Sequence, residues 1–104
     1  MVIEWLKVNV PPELRELYIQ KDAEIWTPVL SKYPGFVGKE VWINPKDATE
    51  IVMVIHWADR DAWKAIPTEK LVETDRQFTE AIGQPFPFTQ EGEYQVRKFM
   101  QRSN

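Results

Sequence analysis

The segment Ile51-Val52-Met53-Val54-Ile55-His56-Trp57 limits what this chain can fold into more than any other stretch. Nearly every residue in it is β-branched, aromatic or otherwise apolar, the composition of a strand. Side chains alternate along a strand, so Ile51, Met53, Ile55 and Trp57 line one face and Val52, Val54 and His56 the other. Both faces are apolar, and both need a cover. With 104 residues the chain is one domain's length, 1–104, and too short for two ordinary cores. Five Trp, five Phe and three Tyr are a heavy aromatic supply for a core of that size.

The flanking sequence supplies the other elements. Val2 to Val10 alternates as a strand, with Val2, Leu6, Val8 and Val10 on one side and Glu4 the exception among them. Ile3, Trp5, Lys7 and Asn9 take the other side. Pro11-Pro12 suits a first helical turn, and the helix is expected to run toward Tyr33. One stripe holds Leu14, Leu17, Tyr18, Ile25 and Val29; a second holds Ile19, Trp26, Leu30 and Tyr33. Pro28 predicts a kink or a missing hydrogen bond inside this helix. Pro34-Gly35 marks a turn, about Phe36 to Asn44 a strand, and Asn44-Pro45-Lys46-Asp47 a hairpin loop. Asp59 is the expected cap of a short helix ending at Pro67, and Thr68 of a second, Glu69 to Ile82, stopped by Gly83. Gln84 to Gly92 reads as loop and Tyr94 to Met100 as the last strand, with the final three or four residues expected to fray. The order is β-α-β-β-α-β: an α+β domain with two helices on one face of a four-stranded antiparallel sheet.

Two helices cover one sheet face. On the other, Trp5, Trp42 and Val54 would form an apolar patch with Ile3, large for a monomer. A two-fold homodimer through this face, anchored by Trp5 and Trp42, is the simplest cover; a C-terminal loop folded back over it is the competing one.

Composition removes several function classes. The formal net charge of −3 offers no basic block for nucleic acid. The longest apolar run, Ile51 to Ile55, is far short of the roughly 20 residues of a membrane span. Glu4 and Lys7 break any basic-then-apolar leader pattern, so a cytoplasmic protein is expected. Without cysteine there is no disulfide, thiolate metal site or Cys nucleophile. One histidine and scattered carboxylates match no metal-ligand spacing, so no metal is expected. Ser31 and Ser103 have no His at hydrolase spacing, and four singly spread glycines form no phosphate loop.

The chemistry-bearing candidates are few. His56, the single histidine, ionises near neutral pH and is the natural acid–base group, although a strand position also suits a structural role. Lys21 interrupts the stripe of Leu17, Tyr18 and Ile25, and Asp75 that of Leu71, Phe78 and Ile82; each either reaches solvent (Lys21 in water or paired with Asp22 or Glu24) or serves a polar ligand. If the two face each other they form an ion pair or a polar pocket floor. Tyr18, Trp26, Trp57 and Trp63 are the candidate ligand-pocket residues, Trp57 and Trp63 being equally suited to the core.

Three stretches carry a resemblance: Val8-Asn9-Val10-Pro11-Pro12-Glu13, Tyr33-Pro34-Gly35-Phe36-Val37-Gly38, and Val54-Ile55-His56-Trp57-Ala58-Asp59-Arg60-Asp61-Ala62-Trp63. Together they resemble the antibiotic-biosynthesis-monooxygenase-like members of the dimeric α+β barrel superfamily, over about residues 2 to 100, and more narrowly a small group of such proteins found in cyanobacteria. The resemblance implies a ferredoxin-like protomer whose sheet pairs with a second to form a barrel. It also implies a cavity between helices and sheet for an aromatic, quinone-like or haem substrate. The positions that haem-degrading relatives use fall near Leu6, Ile66 and Arg76, and none matches. Cofactor-independent relatives that oxidise polycyclic phenols use Asn, Trp and Tyr. Asn44, Trp57, Trp63 and Tyr94 offer those residue types without matching by position. Two functions follow: a cofactor-free monooxygenase-like enzyme for a small aromatic compound, or a non-catalytic dimeric module that binds a metabolite or protein.

Overall fold

A computed structural model describes residues 1–102; Ser103 and the end of the stretch expected to fray lie outside the described residues. Strands β1 (Val2–Asn9), β2 (Phe36–Asn44), β3 (Asp47–Trp57) and β4 (Phe88–Gln95) form one antiparallel sheet in the order β2-β3-β1-β4. Helices α1 (Arg15–Lys21), α2 (Thr27–Leu30), α3 (Arg60–Lys64) and α4 (Thr68–Ile82) lie on one face, in the ferredoxin-like arrangement. β1 and β3 are central and bury Val8, Ile51, Met53, Ile55 and Trp57 against the helices. Tyr18 meets Phe78 edge-to-face at 4.9 Å, joining the first helix to α4. Among the described residues, no helix is long and apolar enough to cross a membrane.

The first helix differs from an ideal α-helix where its prolines act. A 3-10 turn, Pro12–Leu14, opens it, and a π turn, Asp22–Trp26, joins α1 to α2. Pro28 has no N–H for the carbonyl four residues back, and the Thr27 N–H instead donates to the Asp22 carbonyl, five residues back. The wider turn rotates the inward row onto Tyr18, Asp22, Trp26 and Leu30. Lys21 was expected on that row; Asp22 occupies it.

Other expectations shift for local reasons. In α4 the buried position between Leu71 and Phe78 belongs to Thr74, 1% exposed, whose hydroxyl donates to the Lys70 carbonyl; Asp75 is exposed one position round the helix. Asp59 caps α3 by accepting the Ala62 N–H at 2.8 Å. Thr68 makes no side-chain cap; it is the first residue of α4 behind Pro67. Gly83 ends α4 with φ +97°. Gly35 (φ +91°) turns the chain into β2 where a Cβ would run into Ala62. The last strand begins at Phe88 and ends at Gln95, earlier than expected. It is an edge strand exposed on both faces, so it carries no apolar alternation to read.

The open face carries Trp5, Lys7, Trp42, Glu40, His56, Val52 and Val54 by register. Trp42 is 47% exposed, whereas Val54 is 4% exposed in the single chain. Trp5 and Glu40 flank Val54 on the neighbouring strands, so Val54 needs no partner for its burial. Phe99 and Met100, which would be the apolar residues of a C-terminal cover, are exposed.

Candidate functional site

Between the helices and the sheet lies a cavity of about 810 Å³, within the range of small-molecule sites. Each wall follows from a local pattern. The even-numbered positions of β1 put Glu4 and Leu6 on its floor beside Met53 and Ile55 of β3. The inward row of the first helix gives Tyr18, Asp22 and Trp26. Trp63 and Lys64 of α3, and Leu71, Asp75 and Phe78 of α4, form the far wall, and Phe86 and Phe88 follow from the connection into β4.

Three polar features stand in this apolar shell. Lys39, on β2 opposite Ile55, sends its ammonium to Asp22, 2.8 Å from Oδ1 and 2.6 Å from Oδ2, and both side chains are about 95% buried. Burial pushes the Asp22 carboxyl up, and the Lys39 charge opposes it. Glu4 is the second feature: the Trp57 indole N–H donates to its Oε1 at 3.2 Å. Burial raises the Glu4 carboxyl above the usual range; that hydrogen bond and the charges of Lys64 and Lys39 pull the other way. The third is Tyr18, whose phenol is raised far above its ordinary value by burial and then by the Asp22 and Asp75 carboxylates. It is a neutral hydroxyl at any physiological pH.

The expected site residues divide. Tyr18, Trp26, Trp63 and Asp75 line the cavity. Trp57 does not: it is fully buried beneath the floor, edge-on to Phe36 at 5.6 Å, and touches the site only through Glu4. Lys21 lies outside the lining and pairs with Glu24 at 3.1 Å. His56 is on the opposite face of the sheet, its Nε2 2.7 Å from Glu40 and its Nδ1 3.3 Å from the Met1 sulfur. His56, Lys21 and Asp75 therefore do not meet. Sequence reasoning missed Asp22, Lys39 and the role of Glu4. Glu4 did carry a signal, as the one polar residue on the core-facing side of β1; Asp22, one α-helical turn after Tyr18, carried none beyond that spacing. Among the described residues no cluster of carboxylates and histidine is placed to hold a metal.

The family model for antibiotic biosynthesis monooxygenase matches residues 1–66, more than half of the chain. The chain belongs to that family. Among solved structures, the family fold is seen in the Streptomyces coelicolor ActVA-Orf6 monooxygenase in complex with nanaomycin D. That structure is 13% identical with a TM-score of 0.77, over 98% of this chain and 92% of that one. A variant of SnoaB, a cofactor-independent oxygenase from Streptomyces nogalater, is 17% identical with a TM-score of 0.68, over 97% of each chain. A conserved protein from Methanosarcina mazei is 15% identical with a TM-score of 0.66, over 92% of each. At these identities the likeness is one of fold. No curated protein sequence matches the chain.

Proposed function

We propose that this family member is a cofactor-independent, monooxygenase-like protein acting in the cytoplasm, as a homodimer, on a small aromatic or quinone-like compound held in the cavity. The observation that carries the reading is the cavity itself: an aromatic shell of about 810 Å³ into which Glu4, the Asp22–Lys39 pair and Asp75 project. Tyr18, Trp26, Trp63 and Phe78 offer faces and edges to a planar ring, while the carboxylates and ammonium groups meet its hydroxyl or carbonyl oxygens.

Such a site suits oxidation without a bound redox group. A phenol that loses its proton becomes an electron-rich phenolate able to pass electrons to dioxygen. The balanced outcome is a quinone and water. The hydroxyl hydrogen and a ring hydrogen leave with one oxygen atom, and the other oxygen becomes the new carbonyl. A buried carboxylate with a raised pKa is a suitable proton acceptor for the first step. The open face, with Trp42 exposed and Trp5 half-buried on the same sheet surface, supports the dimer, since indoles so placed are typical interface anchors.

The non-catalytic reading, a dimeric module binding a metabolite, is favoured by one observation: His56, Lys21 and Asp75 are not brought together. Thermal-shift measurements with quinols, flavonoid-like phenols and haem, followed by oxygen uptake on whichever ligand stabilises, separate the two. The enzyme consumes oxygen with that ligand; the binding module gains thermal stability and consumes none. A panel that neither stabilises the protein nor supports oxygen uptake overturns both.

A further inference from the structure

Glu4 is the polar group of the cavity least accounted for by the fold. Asp22 and Lys39 neutralise each other. The Glu4 carboxylate has Trp57 on Oε1, and among the described residues no donor reaches Oε2. Among the described residues every side-chain nitrogen or oxygen sealed from solvent has a hydrogen-bond partner, so Oε2 opens onto the void rather than into packed protein. The Trp57 ring that holds Oε1 is itself fixed, fully buried against Phe36. The carboxylate is thus oriented from behind and vacant in front.

Resting on the aromatic-ligand reading above, we infer that Glu4 is the specificity-determining residue of the cavity, accepting a hydrogen bond on Oε2 from the hydroxyl of an aromatic ligand bound in its neutral, protonated form. The charge of the Glu4 carboxylate itself sets the sign. Lys64 on α3 and Lys39 on β2 face Glu4 across the cavity, and Asp22 and Asp75 face it from the first helix and α4. On β4, Glu93 is the cross-strand partner of Glu4, with its charge held by Arg60 at 2.7 Å, and Glu91 adds negative charge nearby. Lys39 is already taken by Asp22. Lys64 and Lys39 nevertheless act on the Glu4 carboxyl more strongly than Glu91 does and favour its charged form, while burial opposes them. A phenolate brought to Oε2 meets like charge, and a neutral hydroxyl meets an acceptor. Glu4 thereby selects the protonated ligand and is placed to receive its proton later: the O–H bond breaks, the electron pair stays on the ligand oxygen, and the proton ends on Oε2.

The test uses 2-hydroxyanthraquinone, whose hydroxyl ionises in the mildly alkaline range, and its methyl ether, which has no donor. Binding is read by quenching of tryptophan fluorescence, since Trp26 and Trp63 line the cavity. At neutral pH the wild-type chain binds the hydroxyl probe at least about tenfold more tightly than the ether, the discrimination expected of a hydrogen bond to a charged acceptor. Its affinity falls as the probe ionises, approaching about tenfold per pH unit. In Glu4→Gln the preference shrinks to about threefold or less, the weaker bond of an uncharged acceptor, and the fall with pH is lost or reversed. In Glu4→Asp the fall with pH is retained. Equal wild-type binding of both probes, or affinity that rises on ionisation, overturns the assignment of Glu4 while leaving an aromatic-binding cavity. Binding of neither probe overturns the aromatic reading and this inference with it. The wild-type measurements need no variant, so a folding defect in Glu4→Gln does not blunt the test.

Discussion

On the helix side of β1, Glu4 interrupts an apolar row and lies in a cavity; on the open side of the same sheet, Glu40 sits beside His56 and Trp42 in solvent. The two glutamates shift in opposite directions. Burial raises Glu4, whereas hydrogen bonds from His56 and then Trp42 lower Glu40. One sheet therefore presents two chemistries. Its covered face holds charge that is costly to keep and available to a ligand. Its open face holds charge that solvent already satisfies, set among indoles suited to a second copy. The most direct way to break this contrast is at the buried pair. Asp22→Ala leaves the Lys39 ammonium uncompensated and is expected to cost about 3–5 kcal/mol in urea denaturation. The double variant Asp22→Leu with Lys39→Met should recover most of that loss, because the pair's desolvation is removed together with its attraction. A single variant as stable as wild type would mean that water reaches this side of the cavity as freely as it reaches the open face.

The next effect belongs to the open face. Trp42→Glu places a charge where a second sheet is proposed to pack, on a side chain 47% exposed in the single chain. Sedimentation equilibrium should show dimer affinity weakened by about 30-fold or more, the scale of a central aromatic anchor, with far-UV circular dichroism unchanged. A wild-type chain that sediments as a monomer at micromolar concentration would remove the dimer and leave the indoles without a partner.

A smaller effect tests the covered face through pH. Because the folded-state pKa of Glu4 is raised, the native chain holds a proton there, between the unfolded and folded pKa values, that the unfolded chain has released. Stability then falls as pH rises from the ordinary glutamate value through the folded one. Glu4→Gln removes the ionisation while keeping an acceptor for the Trp57 N–H. The variant should melt above wild type at neutral pH, with the difference closing under acid conditions where Glu4 is protonated in both states. A melting difference independent of pH would show that Glu4 is solvated like Glu40.

Legibility in the sequence follows the same division. β3 was readable as a strand because its β-branched run is apolar on both faces, which requires both to be covered; its central place in the sheet comes from the pairing. The helix ends were readable because Asp59 and Gly83 each do one local job, a cap and a left-handed stop. β4 was misplaced because an exposed edge strand needs no apolar period. At the site, the aromatic candidates Tyr18, Trp26 and Trp63 reach the cavity, although Tyr18 and Trp26 share one inward row instead of the two stripes expected, and the Asp22–Lys39 pair did not show. Its partners are 17 positions apart on different elements, and Asp22, one α-helical turn after Tyr18, is a charged residue on an inward row that apolar periodicity gives no reason to place there. Asp75 lines the cavity but is exposed, and the buried place beside it is taken by Thr74, whose hydroxyl is satisfied by the Lys70 carbonyl. Periodicity finds apolar faces, whereas a polar residue is buried by the partner it meets in three dimensions.

Glu40 gives the smallest expected effect and the sharpest control. Its carboxylate is 2.7 Å from His56 Nε2 and within reach of the Trp42 indole, with a side chain more than half exposed. A lowered folded-state pKa contributes stability above the ordinary glutamate value and loses it as pH falls through the folded one, opposite in sign to Glu4. Solvent screens the contact, so Glu40→Gln should change the urea stability at neutral pH by no more than about 0.5 kcal/mol. That difference should vanish in acid, where the wild-type carboxyl is also neutral. Should Glu40→Gln cost as much as Asp22→Ala, the open face would be no more hydrated than the cavity, and the division of labour between the two sides of the sheet would fail.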